Sequence, residues 1–553
     1  MGLLRSRVSP LCFGLALALG CSSDATTDTD ASTSTTDATT EDATAATTIA
    51  DTTAGSDATT TAGETEATTD DETEGTDTEG PAPLEYARGI RLTHVTVNQG
   101  VQVEIVQDGV EIAPADYSSI VIEGRPLAIR AHWTLHADFT PRELTGRLTL
   151  YRPDDTVYVD DFTVMVSGPS NDAALSKTFS WLLPAELVEP GARYRITAHE
   201  PDPELAVGEV SDPPPVLPLA GKGDLGITPG AMQMKVVLVP VLHQLDGCEQ
   251  APEITDEDVA AMREELEENN PIQEALVTVR EPMPYSAPIG DQNMGFAPIL
   301  TALAQQRAED NPPENVYYYG LMESCDGYPP GLAGQANGIP SAPIKSLAHM
   351  RVSAGRFSGS GENAKSTFVH EVGHSQGRYH IRCSGGEAGI DPDYPHSNGR
   401  IGVWGFGIHD HELRSPTGAR DYMTYCSNEW VSDYGWGLVV PVIAELTSWD
   451  SEASTPSAAA ILAGALYPDG TSEFWTVRGD VPASDYTPGY ALALETASGP
   501  VLVPAHVSPR ADDPTLNVFA PLPAGTELQG VTLVERGAPR ASAAGAAIRR
   551  LHE

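Results

Sequence analysis

Three histidines and a glutamate in one short segment have the spacing of a metal-dependent hydrolase site. His370, Glu371 and His374 stand in the run His-Glu-Val-Gly-His, and His380 follows a few residues later. On an α-helix, residues four apart project from one face, so His370 and His374 would present both imidazoles to a single ion. Gly377 tolerates positive φ, which predicts the end of the helix and a turn that returns His380 as a third ligand.

The pattern predicts one catalytic zinc ion rather than a closed structural site. Three protein ligands leave a fourth position for water, and Glu371 would lie beside the ligand face, where its carboxylate reaches that water. A structural zinc site is the main alternative, but it would carry a fourth protein ligand and need no glutamate. When Gly377 and His380 are required too, composition gives about 10⁻⁴ chance matches per chain.

The block that carries this motif, residues 223–450, alternates predicted strands and helices. Its elements are a strand at 236–239, a helix between Thr255 and Pro271 that begins with a capping-box-like pattern, a strand at 277–279, a helix over 296–307, a strand at 316–319, and a helix from Glu362 into the histidine motif. Such alternation is typical of an α/β layer arrangement.

The full run His-Glu-x-x-His-x-x-Gly-x-x-His resembles the signature of the metzincin zinc metallopeptidases. The resemblance covers roughly residues 230–450 and implies a methionine turn under the metal, for which Met423 is the candidate. It also implies that Tyr425 contacts the zinc and assists the transition state, as its counterpart does in astacins and serralysins. Residues 332–334 are the candidate for the edge strand that pairs with substrate.

The residue after the third histidine differs from that of the known metzincin subfamilies, whereas the segment around Met423 is similar to one bacterial group of metzincins. Ile381, after the third histidine, matches neither the astacin nor the matrixin, serralysin or adamalysin residue. Segment 421–434 is similar to the methionine-turn region of bacterial secreted and surface metzincins of the StcE/TagA type. Some of that group cut mucin-type glycoproteins, which would make proteins or glycoproteins the substrate class.

Four cysteines remain after the N-terminal Cys12 and Cys21, an even number that suits disulfides in an oxidising compartment. They are Cys248, Cys325, Cys383 and Cys426. Three pairings exist. Cys383 follows the third histidine and Cys426 follows Met423 at the same interval, which favours a Cys383–Cys426 bridge and, by remainder, Cys248–Cys325. Thiolate ligation of zinc is the alternative.

The charge balance and the N-terminus predict an exported protein. The chain has 32 Lys and Arg against 78 Asp and Glu, a net charge of −46, which argues against nucleic-acid binding and against adhesion to an anionic membrane.

Residues 1–20 resemble a bacterial lipoprotein signal, with Cys21 as the lipidated first residue of the mature chain. Residues 21–83 are acidic, rich in Thr and poor in large apolar side chains, which predicts a disordered tether. The membrane would be reached through the lipid alone, at the outer membrane or cell surface.

Two β-rich blocks flank the motif block, at residues 84–222 and 451–553. Short runs of alternating apolar and polar residues between Pro, Gly and Asp predict half-buried strands in sandwich-like domains. Neither block shows a catalytic constellation, so both are interpreted as packing or targeting domains. The predicted fold is therefore multidomain, with a metzincin-like α/β domain between two β-rich domains.

Two weaker metal candidates lie downstream of the motif. The segment His409-Asp410-His411-Glu412 alternates potential ligands, but solvent-facing polar surface is the favoured interpretation. Asp391-Pro392-Asp393 is a candidate calcium site, although a plain turn explains it better.

The sequence thus predicts a membrane-anchored zinc endopeptidase. His370, His374 and His380 would hold the zinc, Glu371 would move the proton of the attacking water, Tyr425 would bind the oxyanion, and Met423 would form the floor. Two alternatives stay open: a surface binding or adhesion lipoprotein with a non-catalytic zinc fold, and a zinc hydrolase acting on a non-peptide bond.

Overall fold

The computed structural model describes residues 85–551, except 203, 205, 207, 292 and 452–458. The expected signal at 1–20, lipidation of Cys21 and tether at 21–83 lie outside the described residues. The described chain is multidomain and rich in β-structure, as predicted, and it contains four α-helices.

The N-terminal block packs two antiparallel sheets around one apolar core. One sheet contains, in spatial order, Val110–Glu111, Gln102–Gln107, Ile90–Asn98, Leu127–Leu135 and Phe179–Leu183. The other contains Val216–Leu217, Arg193–His199, Arg142–Tyr151 and Val157–Val166, with Gly223–Asp224 also paired to Arg193–His199. Trp133 and Phe179 pack in the core with ring centroids 4.8 Å apart. Beyond residue 222, Ile227–Thr228 still pairs with Val121–Ile122 of this block.

The middle block is built on a mixed sheet of seven strands. They are Cys248–Gln250, Gln233–Leu245, Glu274–Val279, Met283–Tyr285, Val316–Met322, Val352–Arg356 and Gly334–Ala336. The central strand Gln233–Leu245 pairs in parallel with Val316–Met322, which pairs in parallel with Val352–Arg356. The edge strand Gly334–Ala336 runs antiparallel to Val352–Arg356.

Helices cover both faces of this sheet. They are α1 (Asp256–Asn269), α2 (Ala297–Asp310), α3 (Gly361–Ser375) and α4 (Asp433–Ser448). Thr255 and Asp258 form the expected capping box at the start of α1. Strand residues alternate between the two faces, as a period of two requires: Tyr317 and Tyr319 join the core with α1, α3 and α4, whereas Tyr318 joins the core with α2.

Two short strand pairs lie between α3 and α4. Gly405–Phe406 pairs with Leu413–Arg414, and Arg420–Asp421 pairs with Glu429–Trp430. The second pair flanks the segment that carries Met423 and Tyr425.

The C-terminal block again consists of two sheets. One contains His506–Pro509, Leu516–Leu522, Ala460–Leu466, Ser472–Arg478 and Arg549–Arg550, and the other contains Gly499–Pro504, Tyr490–Thr496, Gly530–Glu535 and Ala538–Ala544. The first sheet shares an apolar core with α2. Ile461, Trp475 and Phe519 are the sheet residues that contribute to this core. The C-terminal block is therefore packed against the middle block rather than attached to it by a linker alone.

Candidate metal centre

Helix α3 carries the first two histidines and ends where the sequence predicts. The Ser360 side chain caps its N-terminus by accepting a hydrogen bond from Asn363 N at 3.3 Å. Gly377, just past the helix, has a φ of 94°, and a Cβ there would lie 2.6 Å from the Pro340 carbonyl oxygen. Only glycine suits both constraints, so this position turns the chain and brings His380 back to the helix.

The three imidazoles are oriented in the same way. Each Nδ1 contacts a backbone carbonyl oxygen: His370 that of Tyr422 at 2.8 Å, His374 that of Arg378 at 2.7 Å, and His380 that of Ala388 at 2.7 Å. Since a carbonyl only accepts, the proton must sit on Nδ1, and each Nε2 keeps its lone pair. Carbonyl contacts of this kind fix metal-binding histidines in position.

The ligand atoms of the three histidines lie within 4.8 Å of one another, and the Nε2 atoms of His374 and His380 are 3.0 Å apart. Two lone pairs at this distance repel each other unless a cation lies between them. The donor set therefore fits a metal ion, and neutral imidazoles suit zinc among other transition metals.

Burial keeps His370 and His374 in the neutral form that binds metal. His374 is fully buried. Burial, together with neighbouring His380, lowers the pKa of His370 to about 4, and burial with His370 holds the pKa of His374 well below its usual value. Both rings are thus unprotonated at neutral pH, and little proton release would accompany metal binding.

Glu371 lies one position along α3, at the foot of a cleft. The residue is 4% exposed, and its Oε2 has no hydrogen-bond partner among the described residues. Burial, with the nearby Asp512 carboxylate, raises the pKa of Glu371 well above its ordinary value. A cation at the three histidines would oppose that shift and favour the ionised form.

The cleft has a volume of about 290 Å³ and runs along the edge strand. Its walls include Leu332, Ala333 and Gly334, the candidate edge segment, opposite His370 and Glu371. A Cβ at Gly334 would lie 2.6 Å from Glu371 Cγ, so glycine here lets the helix approach the edge strand closely. The cleft thus brings the edge of the sheet beside the unpartnered carboxylate.

Met423 and Tyr425, in the segment that precedes α4, contact residues of the same centre. Met423 is fully buried, its carbonyl accepts a hydrogen bond from Ile381 N at 3.0 Å, and its sulfur would be 2.6 Å from a Cβ at Gly373. The Tyr425 hydroxyl donates to His380 Nε2 at 3.0 Å. Burial of that hydroxyl and the nearby Asp512 and Glu371 raise the pKa of Tyr425, so it is a protonated donor at neutral pH.

Both disulfides favoured from the sequence are present. Cys383–Cys426 joins the loop after His380 to the segment after Met423, and Cys248–Cys325 lies at the far end of the central strand. With their sulfurs bonded to each other, Cys383 and Cys426 are not available as thiolate ligands.

The two weaker metal candidates form other contacts. His409 Nε2 lies 2.8 Å from Glu267, and Asp410 pairs with Arg414. Asp391 accepts a hydrogen bond from the Asp393 backbone at 2.9 Å, which makes the segment a turn. Among the described residues, Cys383, Glu387 and Cys426 also lie close together, but the two sulfurs are bonded to each other, so the three histidines are the candidate metal ligands.

Two features of the centre were not anticipated. Asp512, from the C-terminal block, lines the same cleft, although that block was interpreted as lacking site residues. Arg378, between the second and third histidines, pairs with Asp421 beside Met423. In both cases the partners lie far apart in the sequence, so no spacing of residues predicts the contact. The only hint in the sequence was that these residues are charged.

No model of a known protein family matches the chain, and no curated protein matches it. Among the described residues, no helix is long and apolar enough to cross a membrane.

Proposed function

We propose that the protein is a zinc-dependent endopeptidase of the metzincin type. The observation that carries the proposal is the convergence of three imidazole Nε2 atoms beside a buried glutamate at the foot of a cleft, whose Oε2 has no hydrogen-bond partner among the described residues. A structural site would not need that glutamate.

A zinc ion held by His370, His374 and His380 would polarise a carbonyl and lower the pKa of a coordinated water to about 7. Glu371 takes the proton of the attacking water and delivers it to the leaving amine. Tyr425 donates a hydrogen bond to the oxyanion that develops on the substrate. Met423 and Gly373 hold α3 on the methionine turn and so fix the histidines.

The sheet edge supports a peptide as substrate. Gly334–Ala336 pairs with Val352–Arg356 on one side only, so an extended peptide can add to its other side through main-chain hydrogen bonds. Leu332, which lines the cleft, offers an apolar contact for a substrate side chain.

The proposed setting is the outside of a bacterial cell. The lipoprotein-like signal with Cys21 would anchor the chain, the acidic tether would hold it off the membrane, and the two disulfides suit an oxidising compartment. Extracellular proteins or glycoproteins would then be the partners.

The test compares zinc-loaded wild type with Glu371→Gln on casein and on a mucin-type glycoprotein. Cleavage by wild type, lost in Glu371→Gln and on chelation and restored by zinc, is the expected result. Glu362→Gln is the matched control, because Glu362 is an exposed carboxylate at the other end of α3. Zinc content is measured for every protein and should be one ion per chain. Equal cleavage by Glu371→Gln and wild type would refute the assignment of Glu371, and one bound zinc without cleavage of any substrate would favour the surface-binding alternative.

A further inference from the structure

The cleft beside the three histidines contains a carboxylate that the proposed reaction does not use. Glu429 is half-buried and lines this cleft together with Leu332 and Ser366. The Ser366 hydroxyl donates a hydrogen bond to Glu429 Oε2. Ser366 stands four residues before His370 on α3, which is about 6 Å along the helix axis. The Glu429 carboxylate therefore lies in the cleft about one helical turn away from the candidate metal ligands.

The backbone that carries Glu429 is fixed on both sides. Its strand pairs in parallel with Arg420–Asp421. The neighbouring Trp430 is buried, its carbonyl accepts a hydrogen bond from Tyr422 N at 2.9 Å, and its Nε1 donates to the Gly100 carbonyl at 2.8 Å. The position of Glu429 is thus set by the packed structure and not by a free loop.

The surroundings of Glu429 leave its carboxylate without a counter-ion. Of the described residues, none that lines the cleft is Lys or Arg, and the only charged group with a resolved effect on Glu429 is another carboxylate, Glu265. Burial raises the pKa of Glu429, the hydrogen bond from Ser366 opposes that rise, and Glu265 adds to it. A partly desolvated carboxylate without a cation is unfavourable, and a ligand that supplies the cation removes that cost.

We propose that Glu429 selects substrates that carry a Lys or Arg side chain next to the scissile bond. The inference rests on the proposed endopeptidase function and adds the class of peptide that it cleaves. The side chains of an extended peptide on the edge strand alternate in direction, so one of them can enter the cleft. The apolar stem of Lys or Arg would lie along Leu332 while its charged end reaches Glu429. An acidic side chain at that position would meet an uncompensated carboxylate and be rejected.

The test digests casein with the zinc-loaded full chain as wild type, Glu429→Gln and Glu429→Lys, and identifies every cleavage site by mass spectrometry. In the wild type, Lys and Arg should be enriched about tenfold over Asp and Glu at one fixed position beside the cut. Glu429→Gln should lose this preference and Glu429→Lys should reverse it. Glu253→Gln, at an exposed glutamate of the same block outside the cleft, is the control and should cleave like the wild type. Circular dichroism establishes that each variant is folded, and the isosteric Glu429→Gln guards against failure of Glu429→Lys to fold.

A second measurement does not require turnover. Two hydroxamates that differ only in a lysine or a norleucine side chain are titrated into the same zinc-loaded proteins. The lysine hydroxamate should bind the wild type about tenfold more tightly than the norleucine hydroxamate, and Glu429→Gln should bind both equally.

The outcomes separate this inference from the proposed function. Cleavage of casein without a preference for Lys or Arg, or with a preference that folded Glu429→Gln retains, would overturn the role of Glu429 and leave the peptidase standing. Selective binding of the lysine hydroxamate that is lost in Glu429→Gln, without cleavage of any protein, would support the role of Glu429 in recognition and refute the peptidase. Equal binding of the two hydroxamates to the wild type, without cleavage, would overturn both.

Discussion

Arg378 and Asp421 form an ion pair in which both side chains are almost fully buried. Arg378 Nη2 lies 3.3 Å from each carboxylate oxygen of Asp421. Arg378 stands between the second and third histidines, and its carbonyl orients His374. Asp421 also accepts a hydrogen bond from Met423 N at 2.9 Å. The pair therefore ties the loop that returns His380 to the segment that carries Met423.

Replacement of Arg378 by Met should destabilise the protein strongly. Asp421 would be left as an unpaired buried charge, which typically costs about 3–5 kcal/mol. The measurement is the free energy of unfolding in urea, with Arg147→Met as control. Arg147 pairs with Asp161 at the surface, so its loss should cost about 1 kcal/mol or less. Similar losses in the two variants would contradict the structural role of the buried pair.

The two disulfides should stabilise the fold about equally but differ in their effect on zinc affinity. The free energy of unfolding of each double Cys→Ser variant should fall by about 4 kcal/mol, because the bridged cysteines are 43 and 77 residues apart in the sequence. Only Cys383→Ser with Cys426→Ser should also weaken zinc binding, since that bridge holds the loop after His380. Zinc titration of both folded variants is the check, and equal zinc affinities would argue against this coupling.

Gly373→Ala should destabilise the protein although alanine favours helices. The added Cβ would lie 2.6 Å from the Met423 sulfur and 2.9 Å from the Tyr422 ring, and such overpacking costs about 1–3 kcal/mol. Gly437→Ala is the matched control, because Gly437 is exposed in α4 with nothing within 4 Å of its added Cβ. That change should stabilise the protein by up to about 1 kcal/mol. Thermal melting of the two variants should therefore shift in opposite directions.

Glu387 should make stability depend on pH at the acid end. Burial alone would raise its pKa, but hydrogen bonds from the backbone N–H groups of Ser384 and Cys383 lower it to about 2. Because the folded pKa lies below the ordinary value near 4.5, the carboxylate stabilises the fold in full above pH 4.5. That contribution declines as pH falls below 4.5 and is lost through pH 2.

The measurement for Glu387 is the unfolding free energy of Glu387→Gln and wild type from pH 7 down to pH 3. The wild type should be more stable at pH 7, and the difference should shrink toward pH 3. Glu527→Gln, at an exposed position just after the turn at 524–525, is the surface control for the loss of a carboxylate. A difference that stays constant over this range would mean that the hydrogen bonds do not favour the ionised carboxylate.

Local patterns predicted the elements of the middle block well. The capping box of Thr255 and Asp258, the apolar run of the central strand and the histidine spacing each depend on neighbours within one or two turns. The turn at Gly377 could likewise be anticipated, because its positive φ is a property of one residue. These features place His370, His374 and His380 without knowledge of the tertiary fold.

Contacts between distant segments could not be predicted in the same way. Asp512 lies far along the chain from His380, and no periodicity relates the two. Likewise, no periodicity relates Arg378 to Asp421. In both cases the partners meet because sheets and helices pack together, so the charge pairing follows only from the tertiary structure. The interpretation of the C-terminal block as a packing domain was incomplete for this reason.

The apolar core shared by α2 and the C-terminal sheet bears on how short a chain could still keep the candidate metal centre folded. Ile461, Trp475 and Phe519 belong to the same core as Ile299 and Leu303 of α2. A polypeptide shortened to the motif block alone would expose that face of α2 to water and would lose Arg510, which donates hydrogen bonds to Ala297 and Thr301 of α2. Soluble expression of the isolated motif block should therefore fail, because its α2 face and the C-terminal sheet are expected to fold only together.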